Sequence, residues 1–280
     1  MQVLILGCGD IGTRAGLSLL DRGWRVAAAR RNPDRLPDQF VRHKVNLTDP
    51  ASFVALDTMA PDYVVVTPTP QSFDLAGHQA GFAGVAKTLA SQKWIAQCRR
   101  VIWVSSTRVY SESDGGWVDE HSPLNLDEPQ ASSMIAGEAA IRRASTATII
   151  RPAGVYGDPQ GMLMRRVRAG EGGATGALYG NRIHREDLSR LIVHCLERDH
   201  AGESVPPTVV GADHDQTPTH KIEDWLADQI AVTLVRPSDP SPSRGHRRCR
   251  NALLERIGFR LSYPTWREGY RAALDASSDK

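Results

Sequence analysis

An α/β protein built on a doubly wound parallel sheet is what this sequence predicts, and three observations carry that reading. Short apolar runs alternate with helical stretches between Val3 and Ile150, a rhythm that calls for a parallel sheet with helices on both faces. The first apolar run ends in Gly7-Cys8-Gly9-Asp10-Ile11-Gly12, so a glycine-rich turn separates the first strand from the first helix. The 280 residues are 41% hydrophobic and 24% charged, which suits a chain with a buried core and excludes general disorder and collagen-like sequence.

Each element follows from its local pattern. Val3-Leu4-Ile5-Leu6 reads as a buried strand, because so short an apolar run ended by glycine suits a strand better than a helix. Ala15, Leu17, Leu19 and Leu20 mark a helix that stops at Gly23. Residues 24–29 predict the second strand and residues 41–45 the third. Pro61 ends a helix ahead of Tyr63-Val64-Val65-Val66, the fourth strand. A long helix is expected over residues 73–97, a fifth strand over 101–104, a helix over 131–144 and a sixth strand over 148–150. Right-handed crossovers then leave the doubly wound topology. Beyond residue 151 the rhythm loosens. Gly154, Gly157, Gly161, Gly170, Gly172, Gly173 and Gly176 mark a loop-rich stretch. Helices are expected over 187–198 and 219–231, and the Pro/Ser run 237–243 reads as a surface loop.

A Gly-x-Gly-x-x-Gly turn that leaves a strand and opens a helix is the dinucleotide-binding fingerprint of a Rossmann fold. Gly7 permits the tight turn, Gly9 lets the backbone approach a pyrophosphate, and Gly12 lets the helix pack closely on the strand. The helix N-terminus supplies amides and positive potential to the anion. Asp10 and Ile11, inside the fingerprint, and Thr67, after the fourth strand, complete the expected cofactor-binding set. A plain strand–turn–helix with coincidental glycines is the alternative. The second strand ends Ala29-Arg30-Arg31-Asn32. An NAD site would place Asp or Glu there; two guanidiniums suit a 2′-phosphate, so NADP(H) is expected over NAD(H). The alternative makes Arg30 and Arg31 solvated loop charges. Residues 1–152 are therefore expected to form the NADP-binding domain. Residues 153–280 would add the last sheet elements and a smaller substrate-side lobe.

The net charge of +2, from 34 basic and 32 acidic residues, gives no basic surface for nucleic acid. Only Lys44, Lys87, Lys93, Lys221 and Lys280 are lysines, so few are available to a lysine-dependent mechanism. Cys8, Cys98, Cys195 and Cys249 are scattered without zinc-like spacing. No metal site is expected, and free thiols fit a reducing cytoplasm. No basic segment precedes Val3-Leu4-Ile5-Leu6, and Gly7 and Asp10 interrupt it, which argues against a signal peptide. No window approaches the ~18–20 apolar residues of a spanning helix. The expected protein is cytoplasmic, a monomer or homodimer, acting on a small molecule.

Further stretches resemble the short-chain dehydrogenase/reductase superfamily, in its extended epimerase/dehydratase branch. Val104-Ser105-Ser106-Thr107-Arg108-Val109-Tyr110 is similar to that branch's Ser/Thr motif after strand five, and Asp119-Glu120-x-x-Pro123-Leu124 to the acidic-Pro loop that follows. Arg151-Pro152-Ala153-Gly154-Val155-Tyr156-Gly157 resembles the Arg-Pro-x-x-x-Tyr-Gly segment after strand six, and Arg182-Ile183-His184-Arg185-Glu186-Asp187-Leu188 the His-x-x-Asp segment beside the substrate pocket. The stretch from Arg247 through Gly258-Phe259 to Glu268-Gly269-Tyr270 is similar to an atypical subgroup. The sequence departs from the family at its Tyr-x-x-x-Lys pair: Gln130 stands at the tyrosine position and Met134 at the lysine position, while Ser106 keeps the Ser/Thr position. A phenol titrating near 10 needs positive charge to work near neutrality; glutamine exchanges no proton there and methionine carries no charge.

The resemblance implies a catalytic role for Ser106, which would position the substrate. Tyr110, with Arg108 nearby in sequence, is the best replacement hydroxyl; its alternative role is that of a packing aromatic. Tyr156 and His184 would border the substrate, His184 either as acid/base or as a hydrogen-bonded structural residue. Asp187 reads as a helix N-terminal residue or an ion-pair partner, and Glu138 as a structural charge. Arg151 and Arg182 would bind an anionic substrate by paired contacts, or else form internal salt bridges. Two functions compete: an NADP-dependent oxidoreductase or epimerase-like enzyme with a non-standard acid/base, and a non-catalytic NADP(H) sensor of the same fold.

Overall fold

The computed structural model describes residues 1–175, 178–237 and 246–278. Gly176 and most of the Pro/Ser run lie outside the described residues. The chain divides into two units that interleave in sequence. Unit 1 is formed by residues 1–111, 124–151 and 188–209, and unit 2 by 112–123, 152–187 and 210–280.

The elements run β1 (Gln2–Leu6), α1 (Asp10–Leu20), β2 (Arg25–Arg30), β3 (Val41–Lys44), β4 (Tyr63–Val66), α2 (Leu75–His78), α3 (Val85–Ala90), β5 (Arg100–Val104), β6 (Trp117–Val118), α4 (Pro129–Ala144), β7 (Ala147–Pro152), β8 (Gly154–Tyr156), α5 (Met162–Arg168), β9 (Arg182–His184), α6 (Arg185–His200), β10 (Thr208–Gly211), α7 (Thr219–Gln229), β11 (Arg248–Cys249), α8 (Ala252–Arg256) and α9 (Trp266–Ser278).

Seven parallel strands form one sheet in the order β10-β7-β5-β4-β1-β2-β3. Its central strands are apolar without alternation because both faces are covered: Val3 to Leu6, Val64 to Val66 and Val101 to Trp103 are fully buried. β1 lies between β2 and β4, with Leu6 opposite Ala29 on one side and Val66 on the other. Strand order reverses between β1 and β4, and in open α/β sheets ligands bind outside the carboxyl ends of the strands at such a switch point.

Two expected helices take other forms. Residues 50–56 form a 3₁₀ helix capped by the Asp49 side chain on Ala51 N. The helix expected over 73–97 is broken into α2, a π-helical turn Gln79–Gly84, α3 and a 3₁₀ turn Ile95–Gln97. Backbone proximity explains the irregular part: a Cβ on Gly77 would strike Ser72, and one on Gly81 would strike Thr69 O and Pro70.

Unit 2 contains two short parallel pairs, β8 with β9 and β6 with β11. Tyr156, Met164, Val167, Ile222, Leu226, Trp266 and Tyr270 form its apolar cluster. All four cysteines are buried and outside disulfides, and burial pushes the Cys8 thiol up to about 11, where it is unreactive at neutral pH. Among the described residues no cluster could hold a metal ion, and no helix is long and apolar enough to cross a membrane.

Candidate functional site

In unit 1 the fingerprint turn sits on the switch point. Gly7 has φ +73°, and a Cβ there would lie 2.7 Å from Thr67 O, so only glycine makes this turn without strain. Thr67 holds the turn from the neighbouring strand end: its Oγ1 donates to Gly7 O at 2.8 Å and its N to Leu6 O at 3.0 Å. A Cβ on Gly12 would lie 2.9 Å from Ile5 Cγ2, which shows how closely α1 packs on β1. A Cβ on Gly9 would meet nothing nearer than Gly7 O at 3.8 Å, so its outer face is open to a ligand. Gly9 caps α1 without a side-chain hydrogen bond, leaving first-turn amides of α1 for an anion. Asp10 turns along the helix to Arg14 at 3.0 Å.

Arg30 closes β2 opposite Lys44, the last residue of β3. Arg31, the next residue, is exposed. Among the described residues neither guanidinium has a hydrogen-bond or ion-pair partner. Asn32, which follows them, is used locally: its side chain accepts from Asp34 N at 3.2 Å. The uncapped helix start and the open face at Gly9 fit the phosphates of a dinucleotide.

Ser106 follows β5 and caps the 3₁₀ turn Thr107–Val109, accepting from Arg108 N at 3.1 Å. Its neighbour Ser105 donates to Glu138 Oε1 at 2.6 Å. Glu138, on α4, takes both Nε (3.1 Å) and Nη2 (2.6 Å) of Arg151, whose Nη1 donates to the Tyr110 hydroxyl at 3.3 Å. All four side chains are buried, Tyr110 with 0% exposure. Burial works against the Arg151 charge, but Glu138 outweighs it and raises its titration. For Tyr110 and Arg151 the geometry matches the second of the two roles considered for each. Tyr110 is a packing aromatic bonded to a buried ion pair, and Arg151 has its fork filled by Glu138. Glu138 is the structural charge the sequence suggested, and spacing gave no hint of its partner.

Gln130 and Met134 lie on α4. Gln130 Nε2 donates to Phe73 O at 2.8 Å, and Met134 is buried. Neither supplies a proton or a charge.

Unit 2 brings together Tyr156, His184 and Arg182. His184 is buried, its ring 3.7 Å from that of Tyr263 and 5.2 Å from that of Tyr156 between centroids. Its Nδ1 accepts from Glu186 N at 3.2 Å, which places the proton of a neutral ring on Nε2. The Tyr156 hydroxyl donates to Thr265 O at 3.2 Å, and burial, then the Asp213 carboxylate, raises its titration above the ordinary phenol range. Arg182 donates to Gly180 O at 2.9 Å and to Thr219 Oγ1 at 3.1 Å, so the internal salt bridge considered for it does not form among the described residues. Asp187 accepts from Ser262 N (2.7 Å) and Tyr263 N (2.9 Å), an anchor for a distant segment rather than a catalyst.

Asp213 was not anticipated, though a carboxylate directly after the apolar run ending β10 was a signal. It is 1% exposed. Burial pushes its carboxyl up to about 8, despite the Asp215 amide and Arg182 pulling it down. The folded protein then holds a proton that the unfolded chain releases near 3.8. Stability is expected to fall as pH rises from 3.8 towards about 8, by up to about 1.4 kcal/mol per unit. Urea titrations across this range should show the slope in the natural protein and a flatter one in Asp213→Asn; equal slopes would contradict the assignment.

A family model described as NAD(P)H-binding matches residues 7–199. No curated protein matches the sequence. Among solved structures, a Methylobacillus flagellatus protein assigned as an NAD-dependent epimerase/dehydratase is 25% identical, with a TM-score of 0.81, covering 99% of this chain and 98% of that one. The Bordetella bronchiseptica enzyme WbmG, solved in complex with NAD and UDP, is 16% identical with a TM-score of 0.81, covering 99% and 94%. UDP-glucose 4-epimerase of Thermotoga maritima, solved with UDP-glucose, is 15% identical with a TM-score of 0.80, covering 100% and 99%. The last two similarities carry the fold alone.

Proposed function

Since the chain belongs to the NAD(P)H-binding family, we propose that it is an NADP(H)-preferring oxidoreductase of the epimerase/dehydratase type, acting on a small polar or sugar-nucleotide-like substrate. One observation carries the cofactor preference: Arg30 and Arg31, at the tip of β2, have no partner among the described residues. Gly7, Gly9 and Gly12, with the amides of Asp10 and Ile11, take the pyrophosphate, and Thr67 fixes the turn that presents them. Bound nicotinamide supplies hydride transfer. In unit 1, Ser106 orients a substrate oxygen by hydrogen bonding; in unit 2, Tyr156, Arg182 and His184 are the substrate-binding residues that the family resemblance implies. Gln130, Met134 and Tyr110 leave acid–base work to water. We propose a cytoplasmic protein, monomeric or homodimeric.

Arg30→Asp is expected to lower the ratio of NADPH to NADH affinity by at least about tenfold, or ~1.4 kcal/mol. Titration calorimetry checks this, and an unchanged ratio would contradict the preference. A second reading, a redox sensor without turnover, is favoured by the Gln130 amide being spent on Phe73 O. A sensor must bind NADP⁺ and NADPH unequally. Turnover that falls in Ser106→Ala supports the enzyme instead.

A further inference from the structure

Unit 2 holds two buried ionisable side chains that form no ion pair among the described residues. Arg182 is 8% exposed. Its guanidinium meets only neutral groups: Gly180 O, Thr219 Oγ1 and the Tyr270 hydroxyl. Asp213 is 1% exposed. Its Oδ1 accepts from Asp215 N at 3.2 Å, and its Oδ2 has no hydrogen-bond partner among the described residues. The two residues are adjacent through the backbone, Asp213 N donating to Arg182 O at 2.6 Å.

A buried guanidinium without a carboxylate, beside a buried carboxyl oxygen without a partner, carries an uncompensated desolvation cost. Were the two present only to stabilise the fold, direct contact would be the cheaper arrangement. Unit 1 shows it: Arg151 and Glu138 meet at 2.6 Å, and every contacting atom is used. Groups kept apart and unsatisfied mark a site that a ligand completes.

We propose that Arg182 and Asp213 are two arms of one binding site, which takes a small anion bearing a hydroxyl or amine beside its charged end. Arg182 takes the carboxylate or phosphate. Asp213 Oδ2 accepts from the hydroxyl or amine. The rings of Tyr156 and Tyr270, 4.7 Å apart between centroids, supply apolar contact next to both arms. Hydroxy acids, amino acids and sugar phosphates share this chemistry. The raised titration of Asp213 agrees with an oxygen that lacks its donor. The inference rests on the assignment of Arg182 to the substrate.

The test is calorimetric titration of the full-length protein with four probes. Gluconate and glucose 6-phosphate combine an anion with hydroxyls; acetate and inorganic phosphate present the anion alone. Asp213→Asn keeps the oxygen that Asp215 N uses and replaces the unpartnered one by a group that accepts nothing; Asp213→Ala serves if that variant does not fold. The natural protein is expected to bind gluconate or glucose 6-phosphate at least about tenfold more tightly than the matching simple anion. Asp213→Asn should lose that advantage while still binding the simple anion, and Arg182→Met should lose both. If Asp213→Asn keeps the advantage, the second arm is wrong and the role of Arg182 stands. If Arg182→Met binds like the natural protein, or the natural protein binds none of the probes, the assignment of Arg182 fails and takes this inference with it.

Discussion

Replacing Glu138 by glutamine is expected to cost about 3–5 kcal/mol of folding stability, the range for breaking a buried ion pair by removing one partner. The side chain keeps its shape, so the loss does not come from packing. It comes from the Arg151 charge, left buried with Tyr110 and without its carboxylate. Urea denaturation measures it directly. Adding Arg151→Met should return most of the stability, because replacing both charges by apolar or neutral groups removes the desolvation cost along with the attraction. A loss below about 1 kcal/mol in the single variant would place the pair among weakly coupled surface bridges and contradict the description of this core. The proposed role of Ser106 is tied to the same pair. Glu138 accepts from Ser105, the chain neighbour of Ser106, so loosening α4 against β5 also loosens the hydroxyl assigned to the substrate.

Two neighbouring glycines are expected to fail in different ways. Gly9→Ala adds a methyl with no atom nearer than 3.8 Å, so its melting temperature should stay close to that of the natural protein. Its nucleotide affinity should nevertheless fall by at least about tenfold, because the methyl takes the space where the backbone meets the pyrophosphate. Gly7→Ala should lose both. Its Cβ lies 2.7 Å from Thr67 O at φ +73°, a backbone strain of roughly 1–3 kcal/mol at the turn that carries the amides. Calorimetry and thermal melting on the same samples separate the two cases. If Gly9→Ala binds nucleotide normally, the open face at Gly9 is not the approach to the phosphate.

The nucleotide half of the molecule was legible because its signals are local. A short apolar run and three glycines at fixed spacing each report on a few consecutive residues, and the sheet order follows from the repetition. The helix over 73–97 was not legible. Its break depends on Gly77 and Gly81 pressing on the backbone of residues 69–72, a contact that periodicity does not encode. The roles of Arg151 and Arg182 were open in the sequence for a related reason. Both are arginines in motif-like segments, and only the tertiary partner distinguishes them: Glu138, thirteen residues before Arg151, fills one guanidinium, while the other meets neutral acceptors. Asp213 escaped because desolvation depends on what the rest of unit 2 packs around it.

The most direct measurement is calorimetric titration of the purified protein with NADPH, NADP⁺, NADH and NAD⁺. Binding of all four through the fingerprint turn, with the phosphorylated pair clearly tighter, is the result predicted by Gly7, Gly9, Gly12, Arg30 and Arg31 together. Absence of binding by any of the four would contradict the assignment of this turn to a dinucleotide, and the enzyme and sensor readings would fall together.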